Sequence, residues 1–376
     1  MRVIRCSRRV IRSTCCVVAV ILFSHHFAQA GELDLSRIVF IGDSITDGHT
    51  CPLLVRQAFV DAKLPVPVCI NAGIAGDTAQ GMQGRIERDV LAHRPTLVTL
   101  SVGINDVMRK VKLAEYEADV RSIVRQVREK KIPLVILTTS IVGAKHTEPE
   151  ERLKGYNAIL RQVAQDNDCP VAEVNALMDA ARNDKTPLLE ADDIHLSFAG
   201  YRVMARAILD ALGHKAIPVP EKLPLEPLPG LIRQWKVRVA PADQYPLDEK
   251  TALRLLAADG WKELALPETK PRQHWWEDQE RQRGFAQSLA ELVAPGKNYQ
   301  ALVEISAEKA RPVYFNTGAQ LESIWLNGKR IYRSQGWTGW HAGKERVAAT
   351  LEPGKNLVII ESGGAFFLSV TDDNSW

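Results

Sequence analysis

Residues 37–46 read Arg37-Ile38-Val39-Phe40-Ile41-Gly42-Asp43-Ser44-Ile45-Thr46, an unbroken apolar run that ends on a glycine and delivers a serine. A strand half exposed to water would alternate apolar with polar, whereas a continuous run marks a strand buried on both faces. Outward from it, Val68 to Asn71, Thr96 to Val102, Pro133 to Thr138 and Val171 to Val174 carry the same signature. Between them, Leu113 to Glu129 and Pro149 to Gln165 place apolar residues at helical spacing with charges opposite. Strand then helix, five times over, predicts an α/β fold: a parallel sheet covered by helices on both sides. In such sheets the working residues gather at the carboxyl ends of the strands.

Four segments place chemistry there. Ser44 follows the first strand, but a serine at a strand-to-helix turn is by itself an ordinary helix cap, and its hydroxyl is a poor nucleophile until a base takes its proton. The second strand runs into Asn71-Ala72-Gly73-Ile74-Ala75-Gly76-Asp77-Thr78, where glycine lets a backbone N–H approach a substrate oxygen. The third ends in Gly103-Ile104-Asn105-Asp106, offering a side-chain amide at the same edge. The fourth segment, Asp192-Asp193-Ile194-His195-Leu196-Ser197, precedes the last helix. Its spacing lets Asp192 accept from one ring nitrogen of His195 while the other faces Ser44. Asp193 reads as a solvated acid, and His49 and His146, although near these segments, read as surface residues.

Taken together, these residues resemble the blocks of the SGNH (GDSL-type) hydrolases over roughly residues 36 to 213: GDS(L/I) at Ser44, the second-block glycine at Gly76, GxND at Asn105 and DxxH at Asp192 and His195. NAGIAGDT and GDSIT are close to what lysophospholipase/thioesterase-like members carry, and Ile45 stands where the family name has leucine. The resemblance implies a flavodoxin-like three-layer α/β/α domain and a catalytic triad of Ser44, His195 and Asp192. It also implies an oxyanion hole built from the N–H of Ser44, the N–H of Gly76 and the amide of Asn105. The reaction so implied needs no cofactor and no metal, and no HExxH, paired-cysteine or phosphate-cradling loop is present.

Residues 1–30 read as an export signal. Arg2, Arg5, Arg8, Arg9 and Arg12 precede the apolar run Cys15 to Phe23, and Ala28-Gln29-Ala30 supplies a cleavage site after Ala30. The apolar run falls well short of the roughly 20 residues that span a bilayer, so no stable membrane insertion is expected after cleavage. A secreted or periplasmic protein follows. The formal charge of +3 becomes −2 once these five arginines, unaccompanied by any acid, are set aside. A nucleic-acid partner, which would need a basic patch on the folded domain, is thereby excluded. The remaining cysteines are Cys51, Cys69 and Cys169; three thiols do not make a disulfide scaffold, although a Cys51–Cys69 bridge is open to an exported protein.

Composition predicts a second domain. Residues 216–231 read as a proline-rich linker, with Pro218, Pro220, Pro224, Pro227 and Pro229 in quick succession, and all eight tryptophans lie beyond it. The hydrolase-like part is thus expected over 31–215 and a β-sandwich over 232–376. Short alternating runs there (Lys236 to Val239, Gln300 to Ile305, Val313 to Phe315, Ile324 to Leu326, Lys329 to Tyr332, Asn356 to Ile360, Ala365 to Val370) read as its strands, and Asn327-Gly328 as a type I′ hairpin turn. IWLNGKRIY and LEPGKNLVIIES resemble galactose-binding-like jelly-roll domains. Most tryptophans are expected to fill the sandwich core or the interface with the hydrolase-like domain; Trp275, Trp276, Trp337 and Trp340 are the ones that could stack on sugar.

The function expected is hydrolysis of a small acyl ester, foremost an O-acetyl group on a polysaccharide or smaller carbohydrate. Hydrolysis of a lipid or lysophospholipid ester, as by lysophospholipase/thioesterase-like enzymes, is the alternative within the same chemistry, and a non-catalytic glycan-binding surface protein the alternative outside it.

Overall fold

The computed structural model describes residues 33–182, 185–224, 227–255, 258–266, 284, 289–336 and 345–372. Five apolar runs form a parallel sheet: β1 (Arg37–Gly42), β2 (Val68–Gly73), β3 (Leu97–Ser101), β4 (Leu134–Leu137) and β5 (Val171–Ala172). Their order across the sheet is β2-β1-β3-β4-β5, the flavodoxin-like winding. Ile38, Val39, Ile41, Val98, Leu100, Val135 and Ile136 are fully buried, as strands covered on both faces require. The expected fifth strand, Val171 to Val174, is shorter because Val174 already opens a helix.

The helices are α1 (Ser44–Asp47), α2 (Thr50–Asp61), α3 (Ala79–Gln83), α4 (Ile86–Asp89), α5 (Ile104–Met108), α6 (Leu113–Glu129), α7 (Thr147–Asp166), α8 (Val174–Ala181) and α9 (Phe198–Ala211). In α6 the buried residues Tyr116, Val120, Ile123, Val124 and Val127 recur every three or four positions, giving one apolar stripe. Winding reverses direction at β1, so the connections leaving β1 and β3 diverge to opposite sides. The crevice this opens at the carboxyl ends of β1 and β3 is where open α/β sheets seat their ligands. Ser44 follows β1 and Asn105 follows β3.

Beyond Leu231 the described chain is antiparallel. One sheet has the order β11-β10-β13-β8-β6-β7 and the other β12-β9-β14. The strands are β6 (Gln234–Val239), β7 (Lys262–Ala265), β8 (Tyr299–Ala307), β9 (Arg311–Thr317), β10 (Leu321–Leu326), β11 (Lys329–Arg333), β12 (Glu345–Leu351), β13 (Gly354–Ser362) and β14 (Leu368–Thr371). Trp235, Phe315, Ile324, Ile360 and Phe366 belong to one buried apolar cluster drawn from both sheets, as in a sandwich. Asn327 and Gly328 both have positive φ, 52° and 83°, as the expected hairpin turn requires. Trp235 and Trp325 are buried in the core, while Trp275, Trp276, Trp337 and Trp340 lie outside the described residues. Cys51, Cys69 and Cys169 are all free thiols. No helix among the described residues is long and apolar enough to cross a membrane.

Candidate active site

Ser44 is the first residue of α1. Asp43, in extended conformation at the cap position, accepts from the Ile45 N–H at 3.0 Å, so the cap is Asp43 and the serine hydroxyl is left to face outward. Ser44 Oγ lies 2.8 Å from His195 Nε2, and His195 Nδ1 lies 2.6 Å from Asp192 Oδ2. The three-residue spacing between Asp192 and His195 works through both carboxylate oxygens. Oδ1 accepts the N–H groups of Ile194 and His195, each at 2.9 Å, and folds the loop, while Oδ2 takes the imidazole. Burial alone would push the Asp192 carboxyl up; the His195 ring and the two backbone N–H groups outweigh it and hold the group at about 2. Asp192 is therefore a carboxylate at any physiological pH, and it fixes the proton of His195 on Nδ1. Nε2 is left as an acceptor for the serine proton.

The second-block loop lies alongside. Gly76 has φ +77°, a left-handed conformation that side chains rarely adopt. Each peptide around it is tied down: Asp47 Oδ2 accepts the Ala75 N–H at 3.0 Å, Arg109 Nη2 donates to the Gly76 carbonyl at 2.6 Å, and Asn105 Nδ2 donates to the Asp77 carbonyl at 2.9 Å. Among the described residues, neither the Ser44 N–H nor the Gly76 N–H has a protein acceptor. Backbone and amide donors of this kind can receive a carbonyl oxygen that becomes negative.

Several positioning residues escaped the sequence reading. Asn71, fully buried, donates to the carbonyls of Thr46 and Asp47 and so staples α1 to β2. Arg85, also buried, donates to Gly42 O at 2.9 Å, Ala72 O at 2.6 Å and Asp77 Oδ2 at 2.6 Å, binding the ends of β1 and β2 to the Gly76 loop. Its one visible signal is Asp89 four residues on, which it also contacts at 3.1 Å. One expectation is corrected. His49 is a buried residue with φ 64° at the start of α2, rather than a surface residue, because the chain must turn sharply between α1 and α2. Asp193 is half-buried, and its carboxylate accepts the Lys145 N–H at 3.1 Å. A cavity of about 770 Å³ lined by Leu177, Leu188, Val203 and Val219 contains none of the five predicted site residues.

A family profile, the GDSL-like Lipase/Acylhydrolase family, matches residues 40–203, spanning every one of these groups. Residues 40–203 are a GDSL/SGNH hydrolase domain. The chain thus carries a carboxylic ester hydrolase domain, with the antiparallel sheets added after it. It is similar to an acetylxylan esterase of Geobacillus stearothermophilus, 28% identical over 206 residues, which are 47% of this chain and 94% of that protein. Among solved structures it is similar to an alpha/beta hydrolase enzyme from the metagenome of Lake Arreo, Spain. The identity is 26%, coverage is 48% of this chain and 96% of that one, and the TM-score is 0.45. It is also similar to a catalytic mutant of the Geobacillus acetylxylan esterase, 26% identical, covering 47% and 94% of the two chains with a TM-score of 0.44.

Proposed function

We propose that this protein is an exported serine esterase that removes small acyl groups, acetyl foremost, from carbohydrate. One observation carries the reading: Ser44 Oγ, the His195 ring and the Asp192 carboxylate form an unbroken hydrogen-bonded line, with links of 2.8 Å and 2.6 Å. Ser44 attacks the ester carbonyl while His195 Nε2 takes its proton. The oxygen that becomes negative is received by the N–H groups of Ser44 and Gly76 and by the Asn105 amide. His195 then passes the proton to the departing sugar hydroxyl, leaving acyl-Ser44. Water, deprotonated by the same imidazole, releases the acid and restores the serine.

The carbohydrate half of the proposal has separate support. The side chains of His195 and Asp192 remain 32% and 45% exposed, which suits an ester presented on a bulky alcohol better than a long acyl chain needing a buried tunnel. The similarity to an acetylxylan esterase points the same way. Export is inferred from the five arginines, apolar run and small-residue cleavage site of residues 1–30. We place the hydrolase at 31–215, the linker at 216–231 and an accessory β-sandwich at 232–376. The test is acetate release from acetylated xylan and other acetylated polysaccharides by wild type and Ser44→Ala, beside short- and long-chain nitrophenyl esters. Acetate release abolished by Ser44→Ala is expected. Equal turnover of long-chain esters would overturn the preference for acetyl groups.

A further inference from the structure

The loop that carries Asp192 is held from outside by the segment that follows β4. Three consecutive carbonyls, those of Ala191, Asp192 and Asp193, each meet a donor from residues 143–146. Lys145 Nζ donates to Ala191 O, His146 Nε2 lies 3.1 Å from Asp192 O, and the Gly143 N–H donates to Asp193 O at 2.8 Å. Because a carbonyl can only accept, the Nε2 of His146 carries the hydrogen. In return the Asp193 carboxylate accepts the Lys145 N–H at 3.1 Å. Asp193 has φ 62°, a conformation a non-glycine residue holds only when its surroundings enforce it. The two loops approach so closely that a Cβ on Gly143 would fall 2.4 Å from Asp193 Cγ.

A short exposed loop has many conformations available, yet Asp192 Oδ2 must stay within hydrogen-bond distance of His195 Nδ1 through every turnover. The contacts within the 192–195 loop fix the carboxylate relative to His195, but they do not fix that loop relative to Ser44, which belongs to a different strand end. Among the described residues, the ties from Asp192 and Asp193 to another strand end run to residues 143–146, in the segment that follows the carboxyl end of β4. We propose that Gly143, Lys145, His146 and Asp193 form a clasp that positions the Asp192–His195 pair against Ser44, with Asp193 and His146 as positioning residues for the hydrolysis. This rests on the triad reading above. None of the four need touch substrate; they act through Asp192.

The test is steady-state kinetics on a short-chain nitrophenyl ester with Asp193→Ala, Gly143→Ala and His146→Leu, each alone and combined with Asp192→Asn. These residues lie at the surface or half-buried, so melting temperatures near that of wild type are expected. In the wild-type background each variant should lower kcat roughly tenfold, because misplacement of a catalytic group by a fraction of an ångström is costly while ground-state binding is untouched. KM should change less than about twofold by the same reasoning. His146→Gln, which keeps a side-chain N–H donor, should restore most of the loss. With Asp192→Asn already present, Asp193→Ala should cost nothing further, since the carboxylate it positions is gone. An Asp193→Ala enzyme as fast as wild type, or one losing the same factor in both backgrounds, would overturn the clasp while leaving the triad standing. Should Asp192→Asn itself be fully active, the triad reading fails and the clasp with it. If Asp193→Ala does not fold, Gly143→Ala carries the same comparison.

Discussion

The side-chain amide of Asn105 donates to the carbonyl oxygen of Asp77 at 2.9 Å, so one of its two hydrogens is committed to the Gly76 loop and the other is aimed by that bond. Residues from two strand ends, β2 and β3, are thereby locked to each other before any substrate arrives. Removing the amide should leave the fold intact and slow the chemistry. Asn105→Ala is expected to lose about 10² to 10³ in kcat while keeping a wild-type melting curve. Undiminished ester turnover by the purified variant would remove Asn105 from the reaction.

Arg85 supports the same loop from below, and its charge matters more for stability than for turnover. Its guanidinium and the carboxylates of Asp77 and Asp89 are all largely shielded from water. Deleting one member of such a cluster leaves the others as uncompensated buried charges. Arg85→Met is expected to destabilise the protein by roughly 3–5 kcal/mol, read from chemical denaturation at neutral pH. Arg85→Lys should recover part of this, since it keeps the charge but lacks the fork that reaches Gly42, Ala72 and Asp77 together.

Stability should also fall as pH rises toward neutrality, through Asp43. Burial pushes its carboxyl up to about 7 from an ordinary 3.8, against the opposing effect of the Ile45 N–H. Between those two values the folded state holds a proton that the unfolded chain has released. Stability therefore declines as pH rises from about 4 to about 7 and levels off above it. Asp43→Asn keeps an oxygen for the Ile45 N–H and cannot ionise. Denaturation midpoints at pH 5 and pH 8 should differ less for the variant than for wild type; an unchanged difference would clear Asp43 of the effect.

The thiols should be inert in the native protein. Burial pushes the Cys51 thiol well above its usual range and Cys69 to about 12, and Cys169 is raised for the same reason. Since the thiolate is the reactive form, iodoacetamide at pH 8 should label none of the three until denaturant is added. Rapid labelling of Cys51 under native conditions would contradict its burial.

Much of the α/β half was legible because strands buried on both faces leave continuous apolar runs. β1 to β4 lie where those runs predicted, and α6 spans the predicted Leu113 to Glu129. The antiparallel half was less legible. β7 (Lys262–Ala265) lies at a sheet edge with polar, largely exposed residues, and β12 (Glu345–Leu351) alternates only weakly, so neither has an apolar signature. The run Ala365 to Val370 read as one strand, yet β14 spans Leu368–Thr371. At the site, residues with reactive side chains announced themselves by type and spacing. Arg85, Asn71, Arg109 and Asp193 did not, because what they bind are mainly backbone groups, and a carbonyl leaves no mark in a sequence.

With His195 and Asp192 partly open to solvent rather than sunk in a tunnel, an ester could be engaged from the side of a polymer, with no chain end to be threaded. If polysaccharide is the substrate, as proposed, such an enzyme works by random access. It would strip substituents from the middle of a long chain as readily as from its tips, at a rate set by how many are displayed rather than by how many ends exist.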